Sequence, residues 1–79
     1  MSKAEIIYND FGDAIGFYES VRKFLIGGVE DYLACDDFER AKDLCELLED
    51  ARKWEDSSKL LIVKTNNGMG LTIGEFKND

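Results

Sequence analysis

Histidine is absent from the 79 residues, and so is proline. Without histidine the chain lacks the commonest general base, the commonest metal ligand and the side chain that titrates near neutral pH. No Ser–His or Cys–His nucleophile pair can be assembled. Cysteine is scarce, with Cys35 and Cys45 alone. Two thiolates leave half of an ordinary zinc site unfilled. Two are also fewer than a small secreted domain normally carries, and without a C-x-x-C spacing nothing supports a disulfide or redox pair. Long apolar runs are missing too. Runs such as Phe24-Leu25-Ile26 and Leu60-Leu61-Ile62-Val63 are far below the roughly 20 residues that span a membrane as a helix. The N-terminus reaches charge at Lys3 and Glu5, unlike a secretory signal. The expectation is a cytoplasmic protein with no catalytic residues, no cofactor, no metal and no membrane association.

What is present is enough for a fold. The chain is 44% hydrophobic and 34% charged, too apolar for a disordered tail. Its length suits one domain over residues 1–79, which buries only about 60% of its unfolded surface and has a thin stability margin. The sequence patterns point to an α+β class: two main helices packed on a small antiparallel sheet, built from a C-terminal β-hairpin, with a third, N-terminal strand left open.

Residues 4–8 read either as a short strand or as the first turn of a helix. From Asp13, apolar positions Ala14, Phe17, Tyr18, Val21, Phe24 and Leu25 recur at spacings of three and four, which predicts an amphipathic helix. Gly27-Gly28 is the expected stop. A further turn over 29–34 would face Val29, Tyr32 and Leu33 inward. Asp36 and Glu39 then have capping-box spacing ahead of the stripe Phe38, Ala41, Leu44, Cys45, Leu48 and Ala51, which predicts a helix over 37–54. Residues 59–65 and 69–76 are rich in Leu, Ile, Val and Thr around Asn66-Asn67-Gly68, a hairpin pattern. A three-residue loop with Gly68 in the left-handed position would pair Val63 with Leu71, Leu61 with Ile73 and Lys59 with Glu75. That register makes one clean apolar face. The other face, with Leu60, Ile62 and Thr72 beside Gly70 and Gly74, then needs cover from the N-terminal segment or from a partner.

The charge is concentrated. Residues 27–56 hold eleven acids and four bases, which accounts for the entire net charge of -7. Within the second helix Glu39, Asp43, Glu46 and Asp50 follow offsets of four, three and four and share one face. Like charges at these offsets destabilise a helix by a few tenths of a kcal/mol per pair. Asp36, Glu49, Glu55 and Asp56 extend the region. Arg40 and Lys53 interrupt it and could pair with Asp36 and Glu49. A solvated face that keeps a small protein soluble explains this arrangement. So does an acidic ridge that docks on a basic surface. Successive carboxylates rise about 5–6 Å along the axis, on the order of the charge spacing along a nucleic-acid backbone. The same charge opposes direct binding of nucleic acid, because no basic stripe exists.

Other patterns carry less. Asn67-Gly68-Met69-Gly70 has the glycines of a phosphate loop without its lysine or following helix, and reads as a hairpin turn. The acidic clusters around Asp10 and Asp36 do not match a calcium loop. So short a chain leaves little room for a deep cleft. Trp54, the sole tryptophan, either caps the core or anchors an interface. In size and acidity the chain resembles small phage-encoded inhibitors such as anti-CRISPR proteins and DNA mimics, a likeness of class that rests on no motif. It implies a non-enzymatic inhibitor that docks an acidic helix face on a basic, nucleic-acid-binding protein. Glu39, Asp43, Glu46, Glu49, Asp50 and Trp54 are the expected contact residues. The alternative is a self-associating structural or regulatory module, a homodimer paired through the C-terminal hairpin.

Overall fold

The computed structural model describes residues 5–65 and 70–77. Two helices pack on one face of a four-stranded antiparallel sheet of strand order β1-β2-β3-β4. The strands are β1 (Ile7–Tyr8), β2 (Ala14–Gly16), β3 (Leu61–Thr65) and β4 (Leu71–Glu75). The helices are α1 (Tyr18–Ala34) and α2 (Phe38–Ala51), and α2 runs on into a 3-10 turn at Arg52–Trp54. The α+β class and the C-terminal hairpin are as expected. Of the segment 4–8, residue 4 lies outside the described residues and Ile7–Tyr8 form a strand rather than a helical turn.

The first helix starts later than the apolar spacing suggests. Ala14, Ile15 and Gly16 form β2, wedged between β1 and β3, with Ala14 opposite Val63 and Ile15 opposite Ile62. Three residues are too few to show a period of two, so the spacing of Ala14 with Phe17 and Tyr18 mimics a helix. Sheet pairing with residues nearly fifty positions away decides the matter. A tight loop joins β1 to β2. The Asn9 side-chain oxygen accepts from the Phe11 and Asp13 amides, each at 2.9 Å, and Gly12 takes a φ of 83°.

Gly27-Gly28 does not end α1; the helix passes through both. A Cβ on Gly28 would lie 2.7 Å from Leu44 Cδ1, whereas one on Gly27 would meet nothing within 4 Å. Gly28 is therefore a point where α2 presses closely on α1. Gly27→Ala is expected to raise stability by about 0.5–1 kcal/mol through helix propensity. Gly28→Ala forfeits that gain, since crowding a buried leucine costs roughly 1–3 kcal/mol. Thermal melts of both variants check this. An equal rise in both would mean that the crossing has room to spare at Gly28.

The real stop is at Cys35-Asp36-Asp37. The Asp37 amide donates to Tyr32 O at 2.8 Å and the Asp36 amide to Leu33 O at 3.1 Å, the paired bonds of a Schellman closure. Asp36 occupies the left-handed position, at φ 58°, which Asp tolerates better than most side chains. This displaces the expected cap by one residue. Asp37, rather than Asp36, caps α2, its carboxylate accepting from the Arg40 amide at 3.3 Å.

The core unites Ala14, Tyr18, Val21, Leu25, Leu44, Ala51, Leu61 and Val63. Val29, Tyr32 and Trp54 pack against it, so Trp54 caps the core. Leu33, Phe38 and Cys45, expected to face inward, do not. Leu33 is 47% and Phe38 64% exposed, and both thiols are free and exposed. Helix periodicity sets a stripe, but its edges belong to whichever neighbours arrive, and none reaches these three.

The hairpin register is shifted by two residues from the expected one. Val63 pairs with Ile73, Leu61 with Glu75 and Thr65 with Leu71. A shift of two keeps every side chain on its face, so the apolar set Leu61, Val63, Leu71 and Ile73 still meets the helices. Lys59 and Glu75 become diagonal neighbours and still form an ion pair at 3.1 Å. The turn at 66–69, including the expected conformation of Gly68, lies outside the described residues. The N-terminal strands join the sheet edge-on and extend it. Ile7, Ile15, Ile62 and Gly74 thus form one row across its far face. Within that row Ile7 is exposed, Ile62 and Gly74 are half-buried and Ile15 is buried.

Candidate functional site

Helix α2 is the element on which the expected contact residues stand. Asp37 starts it, and Ala41, Leu44 and Ala51 bury its inner stripe. With that stripe fixed, about 100° per residue places Glu39, Asp43, Glu46 and Asp50 on the opposite, outward side. Glu39, Asp43 and Glu46 are exposed and Asp50 is half-buried.

The basic residues of the same helix neutralise little of this face. Arg40 pairs with Asp37 at 3.5 Å, not with Asp36, and also lies 5.9 Å over the Tyr32 ring. Lys53 pairs with Asp50 at 2.7 Å, not with Glu49, and sits 5.0 Å over the Trp54 ring. Both pairs are solvent-exposed and worth about 0–1 kcal/mol. Among the described residues, Glu39, Asp43, Glu46 and Glu49 make no ion pair.

The six expected residues therefore divide. Glu39, Asp43 and Glu46 stand together on the outer face. Asp50 and Trp54 are tied to a single lysine, and Trp54 is committed to the core. Glu49 lies roughly a quarter turn away, in a shallow groove between the helices lined by Tyr18, Arg22, Leu48 and Arg52.

A feature that sequence reasoning missed adjoins the outer face. Where α2 meets the hairpin, an open groove of about 640 Å3 has Leu44 as floor and Tyr32, Leu47 and Leu71 as half-buried walls. Asp43 and Glu46 stand on its rim with Arg40, Thr65 and Gly70. The short chain thus does form a concavity of ligand-pocket volume, open rather than deep. Leu47 beside the acidic positions was the one visible signal, but the facing wall depends on how β4 docks.

Exposed apolar residues also gather on the β1–β2 arm, where Ile7 and Tyr8 are exposed and Phe11 is 88% exposed. No group of three or more Cys, Asp or Glu side chains among the described residues is arranged to hold a metal ion. No helix of the described residues is long and apolar enough to cross a membrane. No protein-family model, curated protein or solved structure matches the chain.

Proposed function

We propose that the protein is a non-enzymatic inhibitor that docks the outer face of α2 on a basic, nucleic-acid-binding surface of another protein. The observation that carries this reading is the state of Glu39, Asp43 and Glu46. They are exposed, share one face of a well-anchored helix, and lack an ion pair among the described residues. A rigid helix holds the carboxylates in place before docking, which lowers the ordering cost of association. Negative potential on this face speeds encounter with a positive partner and weakens with salt. The inhibitor competes with nucleic acid for the partner without binding nucleic acid itself, since phosphate is repelled.

Affinity capture from the native host tests the reading. The immobilised protein is incubated with extract at about 0.1 M and about 1 M salt, where the screening lengths are roughly 10 Å and 3 Å. Mass spectrometry should identify a basic, nucleic-acid-binding protein retained at low salt and lost at high salt. Retention of neutral proteins only, or retention indifferent to salt, would count against it.

The second reading, self-association, has one observation in its favour. On the far face of the sheet Ile7 is exposed and Ile62 and Gly74 are half-buried, with the buried Ile15 between them, and a Cβ on Gly74 would meet nothing within 4 Å. A homodimer through the sheet face of Leu60, Ile62, Gly70 and Gly74 would keep the acidic helices apart. Light scattering after size exclusion separates the readings: a dimer that survives high salt favours this one, a monomer the first.

A further inference from the structure

We propose that the groove between α2 and β4 takes an aliphatic side chain of the docked partner, flanked in the partner's sequence by arginine. The proposal rests on the acidic-face reading above and names the chemistry that the same face selects. The floor is Leu44, 5% exposed, and Tyr32, Leu47 and Leu71 wall it. Asp43 and Glu46 bring to the rim two carboxylates that make no ion pair among the described residues. The groove's own cation is already engaged, Arg40 pairing with Asp37 and lying over Tyr32.

Charge complementarity chooses the occupant. A purely cationic ligand would satisfy the rim and leave the leucine floor wet. A purely apolar one would strip water from Asp43 and Glu46 without replacing it, which is costly. An aliphatic side chain beside a guanidinium meets both demands, since arginine pairs with carboxylates in a fixed fork geometry. The groove volume of about 640 Å3 admits such a side chain with part of its neighbour.

The test uses two acetylated, amidated tripeptides, Arg-Leu-Arg and Arg-Gly-Arg, titrated into protein carrying 13C-labelled leucine methyls and 15N amides. Both peptides should shift the amides of Asp43 and Glu46. Only Arg-Leu-Arg should shift the methyls of Leu44, Leu47 and Leu71, and it should bind about tenfold tighter through leucine burial. Equal affinities with unmoved methyls overturn the groove proposal while the acidic-face reading stands. Absence of any shift, or shifts confined to the Tyr18–Leu48 side of α2, overturns it as well, and the capture experiment then judges the acidic face alone.

Discussion

Reversing Asp43 and Glu46 to lysine together is expected to abolish retention of the basic partner while leaving the fold and its melting temperature nearly unchanged. The loss follows from placement. Both carboxylates lie on the outer face, are exposed and have no ion pair among the described residues, so no close contact within α2 holds them. Lysines there set positive charge against positive charge, and like-charge juxtaposition across an interface costs several kcal/mol. The small effect on stability follows from the spacing of neighbours. The reversal turns the repulsions of position 43 with Glu39, and of position 46 with Glu49 and Asp50, into attractions. It also turns the favourable offsets from Arg40 to position 43 and from Lys42 to position 46 into repulsions. At about 0.2–0.5 kcal/mol per pair, three gains against two losses leave a small net change, no more than about 1 kcal/mol. For a domain of this size, 1 kcal/mol moves the midpoint by roughly 4–8 °C, so the double variant should melt within a few degrees of the parent. Capture and a thermal melt on the same preparation check both halves. Undiminished retention removes the acidic-face reading. A large drop in melting temperature would show that these carboxylates serve the fold.

Leu61→Ala should cost about 2–5 kcal/mol, the range for a leucine truncated in a packed interior. Leu61 is 0% exposed, in a strand paired on both edges, with Gly16 on one side and Glu75 on the other. Neither neighbour can refill the space: glycine has no side chain, and Glu75 is exposed and held by Lys59. A domain of 79 residues has few kcal/mol to lose, so much of the variant should be unfolded at room temperature. Leu33→Ala is the matched control. Its side chain is 47% exposed despite its place near the end of α1, and its removal should cost well under 1 kcal/mol. Urea denaturation of both variants gives the comparison. Similar costs would mean that Leu61 is not a centre of the core, or that Leu33 packs inward after all.

The legible parts were those with strong local signals. Helix α2 carried a cap, a long apolar stripe and a sustained charged face, and these agree with one another. The hairpin showed two β-branched runs around a glycine turn. The acidic face of Glu39, Asp43, Glu46 and Asp50 was readable for the same reason, because helical geometry fixes which residues share a side. Where two neighbouring residues could both serve, local reasoning missed by one step. Asp36 and Asp37 have the same side chain, and only the closing bonds of α1 send the first to a left-handed position and the second to the cap. The ion pairs shifted likewise, from Asp36 and Glu49 to Asp37 and Asp50.

By itself, the sequence determined the element types over most of the chain, the apolar face of each, and the concentration of negative charge on α2. These follow from side-chain periodicity and composition, which are properties of neighbours along the chain. Only the tertiary structure decided that Ala14–Gly16 is a strand, that Gly28 is a point of close approach and that Trp54 belongs to the core. It alone made a groove from Leu44, Leu47 and Leu71. Each of these depends on contact between segments distant in sequence, where burial and backbone pairing outweigh local preference.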